Sequence, residues 1–132
     1  MQAMSKAKIL IVEDDSMLCT VFEMFLDELG YGHCGTFKSG EEALEHISAE
    51  KPDLILMDIH LEGSIDGIDA ANIILERFNI PIIYISGDSD VSTVNRAVLT
   101  NTYGFMTKPV YKNSLELNIE FAVTKHKLLA NK

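Results

Sequence analysis

Polar side chains that suit phosphoryl chemistry stand where four short apolar segments end. Glu13 and Asp14 follow the first such segment and Asp58 closes another, whereas Ser86 and Lys108 stand at the ends of two later ones. If these segments are strands of one sheet, three carboxylates meet beside a hydroxyl and an ammonium. Crowded carboxylates repel one another, and a hard divalent ion with oxygen ligands, in cells usually Mg²⁺, relieves that repulsion.

This set of groups is suited to the transfer of a phosphoryl group. Mg²⁺ favours phosphate oxygens, and a carboxylate such as that of Asp58 can act as a nucleophile toward phosphorus. The metal ion, the Lys108 ammonium and the Ser86 hydroxyl would then neutralise and hydrogen-bond the transferred charge. We therefore take Asp58 as the candidate phosphoryl acceptor.

The elements that must position these groups are visible in the hydrophobic pattern. The apolar segments favour strands buried on both faces, at 8–12, 33–37, 53–58, 81–86 and 103–107. Between them, apolar residues recur every three or four positions, which is helical spacing. This predicts helices over 17–29, from Ser39 to before Pro52, over 68–78, from the Gly87–Asp88 turn to about 99, and over 113–129.

Strands that alternate with helices in this way predict a single doubly wound α/β domain. The sheet should be five-stranded and parallel, with five helices distributed over its two faces. In such folds ligands bind outside the carboxyl ends of the strands. The strand-end side chains are therefore the candidate functional residues.

Composition limits the classes of function. The chain has 132 residues, 47% of them hydrophobic, and 20 acidic residues against 11 Lys and Arg, for a net charge of -9. Such a charge disfavours direct nucleic-acid binding and attachment to an anionic membrane. The two cysteines have no metal-ligand spacing, and no apolar run has the length of a signal or a membrane span. We expect a cytoplasmic protein with a flexible segment over 1–7 and a folded domain over 8–130.

From about Lys8 to Leu129, the sequence resembles the receiver domain of two-component response regulators. The resemblance is carried by the acidic cluster after the first strand, Asp58 after the third, Ser86 after the fourth and Lys108–Pro109 after the fifth. It implies a flavodoxin-like sheet with strand order 2-1-3-4-5. It also implies that a histidine kinase or phosphotransfer protein phosphorylates Asp58 in a reaction that needs Mg²⁺, for which Mn²⁺ could substitute.

The same resemblance implies a role for each matching residue. Asp14, Asp58 and the backbone carbonyl of His60 would bind the metal directly, and Glu13 would act through water. Ser86 and Lys108 would bind the phosphoryl group. Ser86 and Phe105 would move on activation. Pro109 would have a structural role, with a cis peptide bond before it.

Simpler interpretations exist for the same residues. Asp58 or Ser86 alone would suit a turn, Lys108 alone an exposed surface, and Asp15 or Ser16 the cap of the first helix. The competing functions are an aspartate-nucleophile phosphatase, which would need an Asp-x-Asp pair after the first strand, and a flavodoxin-like cofactor binder, which would need a phosphate-cradling loop there. As a receiver domain the chain would not be an enzyme beyond self-phosphorylation from small donors and slow self-dephosphorylation.

The last predicted helix has more apolar residues than one face can bury. Leu115, Ile119 and Ala122 form a stripe typical of a core, and a second set is displaced around the axis: Leu117, Phe121, Leu128 and Leu129. We expect the face formed by the fourth helix, fifth strand and fifth helix to contact a partner, a second copy or an output domain. We expect that the chain either acts through protein contacts or is part of a larger protein.

Overall fold

The computed structural model describes residues 6–87 and 90–130. Within them, the strands are β1 (Lys8–Val12), β2 (Gly32–Phe37), β3 (Leu54–Asp58), β4 (Ile82–Ser86) and β5 (Gly104–Thr107). The helices are α1 (Ser16–Leu29), α2 (Gly40–Ala49), α3 (Gly67–Arg77), α4 (Val91–Val98) and α5 (Lys112–Ala130). Residues 1–5 of the predicted flexible segment and Asp88 of the predicted turn lie outside the described residues.

The strands form one parallel sheet in the order β2-β1-β3-β4-β5. The predicted fold class and strand order are therefore confirmed. In the register, Val12 pairs with Met57, Asp58 with Ile85 and Ser86 with Thr107. Because all strands run the same way, their carboxyl ends lie along a single edge of the sheet.

The core has two layers because neighbouring residues of a strand point to opposite faces of the sheet. Leu10, Val12 and Ile55 pack with residues of α2, α3 and α4 on one face. Ile9 and Ile11 pack with residues of α1 and α5 on the other. This arrangement explains why the central strands read as continuous apolar runs, and it holds their carboxyl ends rigidly.

Four helices begin at side chains that accept hydrogen bonds from the first helical turn. Asp15 caps α1 through the backbone N–H groups of Met17 and Leu18. Ser39 and Asp90 cap α2 and α4 in the same way. Asp66 forms a reciprocal capping box with Asp69, so α3 begins at Gly67. A cap thus limits each of these helices at its start.

Helix α4 buries a different face from the one its valines indicate. Its Val91 and Val98 are 75% and 65% exposed, whereas Thr93 and Ala97 are buried. Thr93 and Ala97 are also four residues apart, so they too share one side of the helix. Hydrophobicity alone therefore favours the wrong side of this short helix.

Helix α5 buries the predicted stripe of Leu115, Ile119 and Ala122. The second apolar set lies on the surface: Leu117, Phe121, Leu128 and Leu129. Among the described residues, no helix, α5 included, has the length and apolar character needed to cross a bilayer.

Candidate functional site

Backbone hydrogen bonds fix the residues that follow the strands. The N–H of Glu13 donates to the Phe37 carbonyl at 2.8 Å, and the N–H of Lys108 donates to the Ser86 carbonyl at 2.9 Å. The N–H of Ile59, directly after Asp58, donates to the Ile85 carbonyl at 3.1 Å. These bonds extend the ladders of the sheet past its last paired residues, so the polar side chains start from rigid backbone.

Three of the predicted acidic side chains form one cluster at this edge. A carboxylate oxygen of Glu13, one of Asp14 and one of Asp58 all lie within 4.8 Å of one another. Glu13 and Asp58 are only 1% and 3% exposed, and Asp14 lies at the partly exposed side of the cluster. Closely spaced oxygen ligands with one partly open side suit a hard divalent cation, so this donor set fits Mg²⁺.

Lys108 supplies the positive charge of the cluster. Its Nζ lies 3.1 Å from Oε1 of Glu13 and 3.5 Å from Oδ2 of Asp58. The lysine side chain is 22% exposed, and the peptide bond that joins it to Pro109 is cis. Glu13, for which the sequence indicated only a water-mediated contact with metal, is thus an ion-pair partner of Lys108.

Burial disfavours the charged forms of the carboxylates in this cluster, and their pKa values are raised. Burial, together with the charge of Asp58, raises the pKa of Glu13 to about 7. Burial also raises the pKa of Asp58, although Glu13, Lys108 and the His60 N–H oppose the shift. Burial disfavours the charged form of Lys108, but the neighbouring charges of Asp58 and Glu13 prevail and raise the pKa of the ammonium. A bound cation would favour the charged forms of these carboxylates.

The other predicted residues surround the cluster. Ser86 is fully buried at the end of β4. His60 is exposed, and its N–H donates to Oδ1 of Asp58 at 3.3 Å. Phe105 is half-buried in β5 and packs against the core cluster shared with α2, α3 and α4. These placements are compatible with the predicted roles, which stay predictions.

Gly67 is a site residue that the sequence analysis did not single out. A Cβ atom at this position would overlap the backbone carbonyl oxygen of Asp58 and approach Cα of Ile59 to 2.9 Å. The N–H of Gly67 also donates to the Ile59 carbonyl at 2.7 Å. Helix α3 therefore begins directly against the backbone of the candidate acceptor, and only glycine leaves room for it. The sequence did offer one signal for this role, because Gly67 directly precedes the helix predicted over 68–78.

The loop between β3 and α3 is anchored to α2. Oε2 of Glu41 accepts hydrogen bonds from the Ser64 N–H at 3.0 Å and the Ser64 hydroxyl at 2.6 Å. A β-bridge joins Ser39 to Glu62 in the same region. These contacts hold the loop that follows Asp58 against the start of α2.

A charged contact joins the start of α3 to α4. Nη1 of Arg96 donates to Oδ2 of Asp66 at 2.9 Å, and Nη2 lies 3.5 Å from Oδ1 of Asp69. Because Asp66 precedes Gly67, this contact links α4 to the segment that touches Asp58.

The geometry agrees with a comparison of the sequence with protein families. Residues 9–120 match the family described as the response regulator receiver domain. The chain belongs to this family. Receiver domains act in two-component signal transduction, and the resemblance noted in the sequence is confirmed.

Similar proteins with curated descriptions include regulators and an enzyme. The receiver domain is 33% identical to the transcriptional regulatory protein PdtaR of Mycobacterium tuberculosis over 118 residues, which are 89% of this chain and 57% of PdtaR. It is 32% identical to a protein-glutamate methylesterase/protein-glutamine glutaminase of Bacillus subtilis over 114 residues, 83% of this chain and 31% of that protein. The chain thus spans only part of the length of these relatives.

A solved receiver domain has nearly the same fold. It belongs to a modulated diguanylate cyclase from Desulfovibrio desulfuricans G20, with 38% sequence identity and a TM-score of 0.89. The match covers 93% of this chain and 98% of the solved one. The likeness therefore extends over the whole receiver fold.

Proposed function

We propose that the receiver domain, over residues 8–130, is a switch in which Asp58 accepts a phosphoryl group from a histidine kinase or a phosphotransfer protein. The observation that carries this proposal is the position of Asp58. Its carboxylate is almost excluded from solvent, lies beside the carboxylates of Glu13 and Asp14, and is 3.5 Å from the Lys108 ammonium. A buried carboxylate at a rigid strand end with a cation at hand suits a nucleophile better than a structural turn.

In the proposed reaction a carboxylate oxygen of Asp58 attacks the phosphorus of a phosphohistidine. An O–P bond forms and the P–N bond breaks, with its electron pair returning to the imidazole nitrogen of the donor. The product is an acyl phosphate. The Lys108 ammonium and the Ser86 hydroxyl stabilise the negative charge on the phosphoryl oxygens. Lys108 would exchange its present pairing with Asp58 for the phosphoryl group.

The acidic cluster would hold the Mg²⁺ that the reaction requires. Asp14, Asp58 and the backbone carbonyl of His60 are the proposed direct ligands, and Glu13 is proposed to act through water. When bound, Mg²⁺ neutralises phosphoryl oxygens and the neighbouring carboxylates. Mn²⁺, which also takes oxygen ligands, would substitute for it.

Phosphorylation would be transmitted as a shift between two conformations. Ser86 would move toward the phosphoryl group and Phe105 would turn into the space that it leaves. The face formed by α4, β5 and α5 would thereby change its affinity for a partner, either an output domain or a second copy. Arg96 offers a further route to this face, since it connects α4 to the segment beside Asp58.

We infer that the domain itself is not an enzyme beyond self-phosphorylation from small donors and slow self-dephosphorylation. The segment after β1 reads Glu13-Asp14-Asp15-Ser16 and has no Asp-x-Asp pair, which the phosphatase alternative would require. The catalytic activity of the methylesterase relative belongs to a protein of which this chain spans only 31%.

Incubation with acetyl phosphate and Mg²⁺ tests the proposal, with phosphoryl uptake read from the intact mass. The receiver domain should gain one phosphoryl group, and an Asp58→Asn variant should gain none. Asp27→Asn, an exposed substitution on α1, is the matched control and should behave like the unchanged chain. Uptake that persists in Asp58→Asn, or an absence of uptake in the unchanged chain, would overturn the assignment.

A further inference from the structure

Three charged side chains join the start of α3 to α4. Asp66 and Asp69 form the capping box of α3, in which each carboxylate uses one oxygen to accept the backbone N–H of the other residue. The second oxygen of each carboxylate lies against the guanidinium of Arg96 on α4. Nη1 is 2.9 Å from Oδ2 of Asp66, and Nη2 is 3.5 Å from Oδ1 of Asp69. We call these three residues the α3–α4 clasp.

The charges of the α3–α4 clasp stabilise one another. Burial would raise the pKa of Asp66, but the hydrogen bonds from Arg96 and from the Asp69 N–H prevail and lower it. The hydrogen bond to Asp66 raises the pKa of Arg96. All three side chains keep contact with solvent, so water and salt screen the ion pairs. The clasp is therefore an attachment that a conformational change can open at small cost.

Helix α4 buries little of its own surface against the described part of the chain. Of its eight residues only Thr93 and Ala97 are buried, and both side chains are small. A buried hydrogen bond of 2.7 Å between the hydroxyls of Tyr84 and Thr100 holds the turn that follows the helix. An element with so few buried apolar contacts belongs to the less stable parts of a domain. The contact of Arg96 with α3 therefore has a large share in fixing the position of α4.

Both sides of the α3–α4 clasp lead to the candidate phosphoryl acceptor. On the α3 side, Asp66 precedes Gly67, which packs so closely on the Asp58 carbonyl that a Cβ atom would overlap it. On the α4 side, Ser86 ends β4 only five residues before α4 begins at Val91. A movement of Ser86 toward a phosphoryl group on Asp58 would therefore pull on the start of α4. The clasp would hold the same helix to a segment that cannot follow, because Gly67 fixes it against the sheet.

We infer that the α3–α4 clasp is a built-in restraint on activation, which opens when α4 follows Ser86 toward a phosphorylated Asp58. This inference rests on the proposed function, since it concerns the response to a phosphoryl group at that residue. The ion pairs of Arg96 favour the position that α4 has here. A ligand that binds the displaced state has to open them, and it binds more tightly once they are removed.

Titration of the full chain with beryllofluoride and Mg²⁺, followed by ¹⁹F NMR, tests the restraint. Arg96→Met should bind beryllofluoride about two- to fivefold more tightly than the unchanged chain, the effect expected for an exposed ion pair. Asp66→Asn should act in the same direction, because asparagine retains the α3 cap without the charge. Arg77→Met, an exposed substitution in the last turn of α3, is the matched control and should bind like the unchanged chain.

The double variant Asp66→Asn/Arg96→Met tests whether the two side chains act through one contact. It should bind beryllofluoride no more tightly than Arg96→Met alone, because either substitution already breaks the same ion pair. Tightening that is fully additive would show that the two residues act separately, and it would contradict the clasp.

Amide hydrogen exchange without beryllofluoride measures the attachment of α4 independently of Asp58. Arg96→Met should speed the exchange of amides in α4 and leave those in α1 unchanged, because only α4 loses a contact. Unchanged exchange in α4 would show that the clasp does not hold this helix, and it would overturn the inference.

The titration separates this inference from the proposed function. If the unchanged chain binds beryllofluoride but Arg96→Met binds it equally or more weakly, the clasp does not oppose activation and the inference fails alone. Equal tightening by Arg77→Met would show a general effect of charge and would also overturn it. If the unchanged chain and every variant fail to bind, the proposed role of Asp58 is contradicted, and the inference fails with it.

Discussion

Two regions of the molecule depart from the usual rule that charged side chains are exposed and large apolar ones are buried. At the carboxyl edge of the sheet charged groups are buried, and on the outer side of α5 apolar groups are exposed. At the edge, Glu13 and Asp58 are carboxylates with 1% and 3% exposure. On α5, Leu117 and Phe121 are large apolar side chains with more than 60% exposure. Buried charge is compensated by a small cation or an ion-pair partner, whereas contiguous exposed apolar surface marks an interaction site. The two regions therefore indicate two kinds of ligand.

The largest expected effect concerns the close contact beneath Asp58. Gly67→Ala should lower the free energy of unfolding by about 3 kcal/mol, because the new Cβ overlaps the Asp58 carbonyl and the backbone must move. Urea denaturation followed by circular dichroism measures the loss. Gly87→Ala is the matched control: its Cβ would meet only Cδ of Lys108, at 3.7 Å, and should have little effect. Equal stability of the two variants would contradict the packing described here.

The next effect tests the buried charges. Lys108→Met should lower the free energy of unfolding by about 2 kcal/mol at pH 8, since it leaves the buried carboxylates of Glu13 and Asp58 without their ammonium partner. The loss is smaller than for a fully buried ion pair because Lys108 retains some contact with solvent. Chemical denaturation at several pH values measures it. Lys112→Met, which removes only the exposed pair with Glu28, should cost less than about 0.5 kcal/mol.

The same variant should show a pH dependence of defined sign. The pKa of Glu13 is about 7 in the folded chain against an ordinary value of 4.5, so between these pH values the folded state holds more protons than the unfolded state. Stability without a bound cation therefore falls as pH rises through this window. The loss caused by Lys108→Met should consequently be smaller at pH 5 than at pH 8. A loss that is larger at pH 5 would show that the carboxylates are not the cause.

A smaller effect tests the metal ligands. Asp14→Asn should weaken Mg²⁺ binding by at least about tenfold, since even outer partners of metal ligands have effects of this size. Isothermal titration calorimetry measures the affinity. Asp15→Asn is the neighbouring control, because Asp15 caps α1 and an asparagine retains that cap. An equal loss in both variants would show a general effect of acidic charge instead of ligation by Asp14.

The smallest effect concerns the exposed side of α5. Phe121→Ser should change the free energy of unfolding by less than about 0.5 kcal/mol, because the ring is already exposed. Ile119→Ala, two residues earlier and fully buried, should lower the free energy of unfolding by about 3 kcal/mol and serves as the reference for the loss of a buried side chain. A large loss at Phe121 would show that this side chain supports the fold of the monomer.

Much of the fold was predictable because strand and helix periodicities differ. Aliphatic runs such as 9–12 indicated buried parallel strands, and helical spacing indicated the helices between them. Parallel strands place their carboxyl ends together, so Glu13, Asp14 and Asp58 could be expected at one site before any contact was known. The face of α4 was harder, since small residues such as Thr93 and Ala97 carry little hydrophobic signal.

The contacts that complete the site depend on residues far apart in the chain. Glu41 and Ser64 are 23 residues apart, and Asp66 and Arg96 are 30 apart. No local pattern couples such pairs, because their distance is set by how α2, α3 and α4 pack on the sheet. The pairing of Glu13 with Lys108 was missed for the same reason, since the two residues are brought together only by the packing of β1 and β5 into one sheet.

Beryllofluoride, which stands in for a phosphoryl group, tests the central claim most directly. Titration in the presence of Mg²⁺, followed by ¹⁹F NMR, should show one saturable bound species that disappears without Mg²⁺ and in Asp58→Asn. The backbone amide resonances of Ser86 and Phe105 should also shift when beryllofluoride saturates the site. A bound species that survives in Asp58→Asn, or no bound species in the unchanged chain, would contradict the assignment of Asp58 as the phosphoryl acceptor.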